Sequence, residues 1–137
     1  MDMAKYRQVF LEEATEHLAE MSCALLELEK DATRVDAIDV LFRMAHSIKG
    51  MAASLEYDSI TEVSHQLEDR MQEIRTAGCI RGSDALALLF RGLEGLERMV
   101  AVVRETGEPP PRDPVLAELL ATPLAPGSTG ESAQKKR

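Results

Sequence analysis

The chain has 137 residues, which is enough for one small domain with a core of its own. Its formal net charge is −8, and its one basic run is Lys135-Lys136-Arg137, which argues against a nucleic-acid partner. The residues are 45% hydrophobic and 4% aromatic, with no Trp, a composition that favours helices over sheets. We therefore expect an all-α fold.

The sequence also predicts where the protein works. No apolar stretch approaches the ~20 residues that a membrane span needs. Residues 1–5 lack the basic and apolar regions of a signal peptide. Cys23 and Cys79 form neither a metal-binding spacing nor a disulfide framework, so both are expected to be reduced thiols. These features predict a cytoplasmic protein.

Apolar residues three and four positions apart predict the first two helices. The first is expected from about Lys5 to Lys30, and the second is expected to have Asp36 as its N-cap. The first stripe is Phe10, Ala14, Leu18, Met21, Leu25 and Leu28, and the second is Ile38, Leu41, Phe42, Ala45, Ile48, Ala52 and Leu55. Because His46 follows core-facing Ala45 by one residue, it should lie about 100° round the helix, on its flank.

A third helix is expected to open with a capping box formed by Ser59 and Glu62, and to end at Gly78. Its apolar face comprises Ile60, Val63, Leu67, Met71 and Ile74. The same helix carries a second, polar stripe: Thr61, His65, Glu68 and Gln72. This polar stripe need not face bulk water.

The fourth long helix is expected to begin after a cap at Ser83 or Asp84 and to end at Gly107. Its apolar residues are Leu86, Leu89, Phe90, Leu93, Leu96, Val100 and Val103. Four amphipathic helices joined by short loops close most simply as an antiparallel up-and-down four-helix bundle. We expect that bundle over about residues 4–107.

A stiff, proline-rich spacer, residues 108–112, follows the bundle. Asp113 and Pro114 then occupy cap and first-turn positions, which predicts a short fifth helix over about residues 113–122. Residues 1–122 are thus expected to form one domain. Residues 123–137 have too little apolar content to fold and are expected to be a disordered linker or tail, which favours a fragment of a longer protein over a stand-alone one.

Residues 45–50, AHSIKG, carry the chemistry that the sequence predicts. Lys49 and Gly50 follow His46 by three and four residues and so share its helix surface. Glycine in a helix interior costs roughly 0.5–1 kcal/mol relative to alanine, so Gly50 suggests clearance for a docking partner, with close helix packing as the alternative. Glu68 is expected to accept a hydrogen bond from Nδ1 of His46, which leaves Nε2 free to attack the terminal phosphate of ATP.

Lys49, with Arg43 or His65, is expected to stabilise the phosphoryl oxygens electrostatically. The chain has no G-x-x-x-x-G-K-[ST] loop, and one small helical domain leaves no room for an ATP-binding fold. We therefore expect the kinase domain elsewhere, so that this chain is not a complete enzyme by itself. A phosphorylated His46 would pass its group to a carboxylate of another protein.

Residues 45–50, AHSIKG, and 64–68, SHQLE, resemble the histidine phosphotransfer (Hpt) domain at the amino terminus of CheA-type chemotaxis histidine kinases. Residues 10–14, FLEEA, fit the same family, and the similarity covers about residues 4–107. The resemblance implies that His46 is phosphorylated in trans by the kinase domain of a dimeric partner subunit, which supplies ATP and Mg²⁺. It implies transfer to the aspartate of CheY-like or CheB-like response regulators, which bring their own Mg²⁺.

The resemblance also implies roles for single residues. His65 and Glu68 match the family's pair beside the histidine, and Lys49 matches its lysine on the phosphate side. The family often has a small residue after the glycine, whereas Met51 stands here. We expect Met51, with Arg43 and Gly50, to border the docking face and to influence which regulators bind. The chain itself is expected to bind no cofactor and, as a domain, to be monomeric.

Two other protein classes stay open. A helical interaction module without phosphoryl chemistry would use the bundle face only to dock a partner. A di-metal carboxylate bundle needs an E-x-x-H motif on each of two helices, and residues 62–65, EVSH, supply only one, so we expect no metal site. His17, with Glu13, Glu16 and Glu20 around it, is expected to be a surface histidine.

Overall fold

Five α-helices make up the fold in the computed structural model, which describes residues 2–124, and no strand occurs among them. They are α1 (Met3–Lys30), α2 (Val35–Ser54), α3 (Asp58–Ala77), α4 (Ser83–Thr106) and α5 (Pro114–Ala121). The predicted all-α fold is confirmed. Of the predicted tail, residues 123–137, all but the first two residues lie outside the described part.

Consecutive long helices run antiparallel, because only the short links 31–34, 55–57 and 78–82 join them. The contacts between α2 and α3 show this direction: Asp39 lies beside Arg75, whereas His46 lies beside Glu68. α1 and α3 each pack against α2 and α4, and α5 packs against α3 and α4. Diagonal helices do not approach each other closely within residues 2–124. The arrangement is the predicted up-and-down four-helix bundle with a fifth helix on one side.

The apolar stripes of the four long helices meet in one core, and α5 adds Leu116 and Leu120 to it. The largest fully buried side chains are Phe10, Leu25, Leu28, Ile38, Leu41, Ile48, Ile60, Val63, Leu67, Met71, Leu96 and Leu120. Phe42, Leu55, Leu86 and Phe90 were expected in these stripes but are only partly buried at the edge of the core. Phe42 is thereby left available at the surface.

Three of the predicted helix starts are wrong. α2 begins at Val35, so Asp36 lies in its first turn and accepts hydrogen bonds from the Arg34 side chain instead of capping the helix. α3 begins at Asp58 without a capping box, because the Ser59 hydroxyl donates to the carbonyl of Pro110 at 2.8 Å. α4 follows Gly82 without a side-chain cap. The contact with Pro110 joins residues far apart in the chain, which a local pattern does not contain.

The predicted ends and the start of α5 are confirmed. Gly78 and Gly107 terminate α3 and α4 in the left-handed conformation, with φ of 84° and 73°. The Asp113 side chain caps α5 by accepting from the amide of Leu116 at 3.1 Å, with Pro114 as the first helical residue. Within residues 2–124, no helix is both long enough and apolar enough to cross a membrane.

Candidate functional site

His46 lies in the middle of α2 on the side that faces α3, and its side chain is 64% exposed. Its Nδ1 is in hydrogen-bond contact with Oε2 of Glu68 on α3. A carboxylate accepts, so Nδ1 carries the proton in this contact and Nε2 keeps its lone pair. The pairing across two helices thus selects the imidazole tautomer in which Nε2 is the nucleophilic nitrogen.

Glu68 uses both of its oxygens. Its side chain is only 11% exposed, and Oε1 accepts a hydrogen bond from Nζ of Lys49 at 2.6 Å. Burial raises the pKa of the Glu68 carboxyl, but the hydrogen bonds and charges of Lys49 and His46 outweigh it and hold the pKa below its ordinary value. Glu68 is therefore ionised at neutral pH and presents a full negative charge to the imidazole.

Lys49 lies on α2 beside His46, as its spacing predicted, but it is not a free surface cation. Its side chain is 25% exposed and its ammonium is bound to Glu68. An ammonium has three N–H donors, so this bond leaves two of them for other acceptors. The structure brings His46, Lys49 and Glu68 together as one cluster.

The two other cations named from the sequence lie at the edge of that cluster. Nδ1 of His65 is 3.8 Å from Oε1 of Glu68, and its Nε2 is 3.5 Å from Asp69, distances at the limit of an ion pair. Arg43 donates from Nε to Asp39 at 2.8 Å, one turn before His46. Neither side chain forms a hydrogen bond or an ion pair with His46 in the part of the chain that the structure describes.

Gly50 faces open space. Apart from its own turn of α2, a Cβ placed on it would meet no atom within 4 Å among the described residues, so close helix packing does not explain this glycine. Met51, the next residue, is half-buried and packs against the core. Only part of the Met51 side chain therefore borders the surface that Gly50 leaves clear.

The profile of the Hpt domain family matches residues 5–106. The chain is a member of the Hpt domain family. Chemotaxis protein CheA from Bacillus subtilis (strain 168) is 39% identical to it over 108 residues, which are 79% of this chain and 16% of that relative. The chain thus spans about a sixth of the length of the curated relatives it matches.

Two solved structures share the fold of this Hpt domain. The CheA phosphotransferase domain from Thermotoga maritima has a TM-score of 0.69 and 33% identity, covering 76% of this chain and 98% of that one. The phosphorylated P1 domain of CheA3 in complex with CheY6 from R. sphaeroides has a TM-score of 0.73 and 20% identity, covering 85% of this chain and 92% of that one. The family and the bundle fold predicted from the sequence are confirmed.

Sequence reasoning missed two side chains of this Hpt domain, one next to the histidine and one stacked on that neighbour. The Phe42 ring lies nearly parallel to the His46 ring, with 6.5 Å between centroids and 9° between planes. The guanidinium of Arg75, on α3, lies over the Phe42 ring, with its Cζ 4.3 Å from the ring centroid. The spacing of four residues between Phe42 and His46 was a usable signal, whereas no local pattern connects Arg75 to either.

The prediction for His17 is wrong. This side chain is half-buried between α1 and α2, with Nε2 3.1 Å from the Ser47 hydroxyl. Its Nδ1 is buried and has no hydrogen-bond partner among residues 2–124. The acidic residues around His17 in the sequence gave no indication of this, because the packing of α1 on α2 decides which side of the helix is covered.

The glutamate of the E-x-x-H sequence in this Hpt domain is engaged by an arginine. Glu62 accepts from Nε of Arg112 at 2.8 Å, so it is engaged with the segment that leads to α5. Among residues 2–124, no group of three or more His, Cys, Asp and Glu side chains is arranged to hold a metal ion. The cluster of His46, Lys49 and Glu68 calls for a functional explanation, because it joins an exposed histidine to a buried carboxylate.

Proposed function

We propose that this Hpt domain is the phosphotransfer part of a CheA-type chemotaxis kinase and that His46 is its phosphorylated residue. The observation that carries the proposal is the contact between Nδ1 of His46 and the buried, ionised carboxylate of Glu68. It leaves Nε2 with its lone pair in a ring that is largely exposed.

In the first step, Nε2 of His46 attacks the γ-phosphorus of ATP held by a kinase domain in trans. The N–P bond forms as the bond to the β-γ bridging oxygen breaks, and ADP leaves with that electron pair. The imidazole gains positive charge as the bond forms, and Glu68 stabilises that charge through Nδ1–H. Mg²⁺ comes with the nucleotide, and this chain binds no cofactor of its own.

In the second step, the aspartate of a CheY-like or CheB-like response regulator attacks the phosphorus. The N–P bond breaks, its electron pair returns to Nε2, and an acyl phosphate forms on the regulator, which supplies the Mg²⁺. Lys49 stabilises the phosphoryl oxygens through the N–H groups that Glu68 leaves free, with His65 nearby. The complex of the CheA3 P1 domain with CheY6 supports a receiver domain as partner.

Clearance at Gly50 supports the same proposal, because the kinase domain and the receiver must both reach one nitrogen on a helix surface. We place both reactions in the cytoplasm, where ATP is available. Arg43, Gly50 and Met51 border the approach to His46 and are the residues that we assign to partner docking. The domain acts as a monomer in each encounter.

Labelling with ATP tests the assignment of His46. The full 137-residue chain is incubated with a CheA kinase domain, Mg²⁺ and ATP labelled at the γ-phosphate. We expect label that is labile to acid and stable to alkali, and we expect none in His46→Gln. His65→Gln is the matched control, since it removes the other histidine beside Glu68, and it should still take up label. Label persisting in His46→Gln would contradict the assignment.

A further inference from the structure

Three planar groups form a continuous row on the surface between α2 and α3. The His46 imidazole is followed by the Phe42 ring at 6.5 Å, and the Arg75 guanidinium lies over that ring at 4.3 Å. A guanidinium over an aromatic face is held by cation–π attraction and by stacking of two planar groups. Phe42 therefore holds a positive charge against the ring that neighbours the histidine.

The neighbouring side chains do not fully neutralise the charge of this guanidinium. Asp39 lies 3.7 Å from a terminal nitrogen of Arg75, too far for a hydrogen bond. The other Asp39 oxygen accepts from Arg43 at 2.8 Å, so one carboxylate faces two arginines. This group of three side chains keeps a net positive charge on a chain whose formal net charge is −8.

The hydrogen-bonding capacity of Arg75 is also unused. Its side chain donates no hydrogen bond within residues 2–124 and is 39% exposed. A guanidinium carries five N–H donors in a planar fork, which matches the two oxygens of a carboxylate. Arg75 is thus held in place by stacking while its donors remain free for a partner.

We propose that Arg75, positioned by Phe42, binds a surface carboxylate of the response-regulator receiver while His46 transfers its phosphoryl group. This inference rests on the proposed function. The acceptor in that step is an aspartate that works with Mg²⁺, and proteins hold Mg²⁺ through carboxylates. We therefore expect carboxylates around the acceptor on the receiver, and a receiver that reaches Nε2 of His46 also covers the adjoining row.

In the kinase step, a different partner with different charged groups approaches the same surface. A nucleotide bound in a kinase domain brings its γ-phosphate to Nε2, and its other phosphates are neutralised by that domain and its Mg²⁺. The free guanidinium of Arg75 therefore suits the receiver, whose acidic groups surround the acceptor. We assign Arg75 to partner specificity in the second step and not to phosphorylation of His46.

Phosphotransfer kinetics test this assignment with Arg75→Gln. The full chain, phosphorylated on His46, is mixed with a CheY receiver domain and Mg²⁺, and loss of label is followed at several receiver and salt concentrations. We expect kcat/KM to fall about tenfold and its salt dependence to become shallower, with the limiting rate little changed. Arg75→Lys should recover part of the loss, since it restores the charge but not the planar fork.

Arg104→Gln is the matched control, because it removes one exposed arginine from α4, which does not approach α2 in the described structure. Its transfer rate should equal that of the unsubstituted chain. Unchanged transfer in Arg75→Gln, or full recovery in Arg75→Lys, would overturn the inference. So would a matching fall in the rate at which the kinase domain phosphorylates His46. Failure of the proposed function itself would appear separately, as label on His46→Gln.

Discussion

Replacing Glu68 by Gln tests the orienting contact at the centre of the site. The substitution keeps the shape of the side chain but removes its negative charge. In the structure both oxygens of Glu68 accept from charged or chargeable donors, His46 and Lys49. A glutamine has one acceptor oxygen and one amino group, so it can serve one of these donors and must turn its own donor toward the other.

The loss of the charged hydrogen bond to His46 sets the size of the fall in phosphorylation rate. A hydrogen bond to a charged group contributes about 1.5–3 kcal/mol and a neutral one about 0.5–1.5 kcal/mol, so the His46 contact alone loses roughly tenfold in rate. The imidazole gains positive charge as the N–P bond forms, which increases the loss. Removing the group that orients a metal-ligating histidine through its second nitrogen typically costs about 10–100-fold, and Glu68 orients His46 in the same way. We expect phosphorylation of His46 in Glu68→Gln to be about 10–100-fold slower.

Single-turnover phosphorylation with saturating kinase domain and labelled ATP measures this rate directly. Glu62→Gln is the matched control, because it removes the same charge from the same helix, where the carboxylate binds Arg112 and not His46. Circular dichroism and urea unfolding check that both variants are folded. A rate in Glu68→Gln equal to that of Glu62→Gln would contradict the orienting role and leave Glu68 as a structural partner of Lys49.

Three more predictions use the same structure. Gly50→Leu should leave the urea-unfolding free energy unchanged or raise it by about 0.5–1 kcal/mol while slowing phosphotransfer, because the added side chain fills only the docking space. By contrast, Gly92→Ala should lower that free energy by about 1–2 kcal/mol, since its Cβ would lie 2.6 Å from Cδ2 of Leu67. A Gly92→Ala variant more stable than Gly50→Leu would contradict both predictions. The lowered pKa of Glu68 means that its contribution to stability is full above its ordinary value of 4.5 and is lost as the pH falls through the folded-state pKa. Urea unfolding at a series of pH values should therefore show a steeper loss below about pH 4.5 in the unsubstituted chain than in Glu68→Gln, and parallel curves would contradict this.

The helices were predictable because their causes are local. Apolar residues at a period near 3.6 are visible in the chain itself, as in the stripe from Phe10 to Leu28, and they predict both a helix and its buried face. Asp113 with Pro114 predicted the start of α5 for the same reason, since cap and first turn are adjacent in sequence. The start of α3 was missed because Ser59 bonds to Pro110, a residue of a distant segment.

In the candidate site too, the features with a local cause were predictable and those that depend on helix packing were not. The spacing along the chain was enough to place His46, Lys49 and Gly50 on one helix surface, because residues three and four apart are neighbours on any α-helix. It also singled out Glu68 on the polar stripe of the next helix. Whether that carboxylate reaches the imidazole depends on the axial register and rotation of α3 against α2. Only the packing of the whole core sets these two quantities.

Which groups surround His46 depends on contacts between helices. It paired Lys49 with Glu68, covered His17 with α2, and laid Arg75 of α3 over Phe42. Each of these contacts joins two helices, so it follows from how the core residues of both pack together and not from any spacing along one of them.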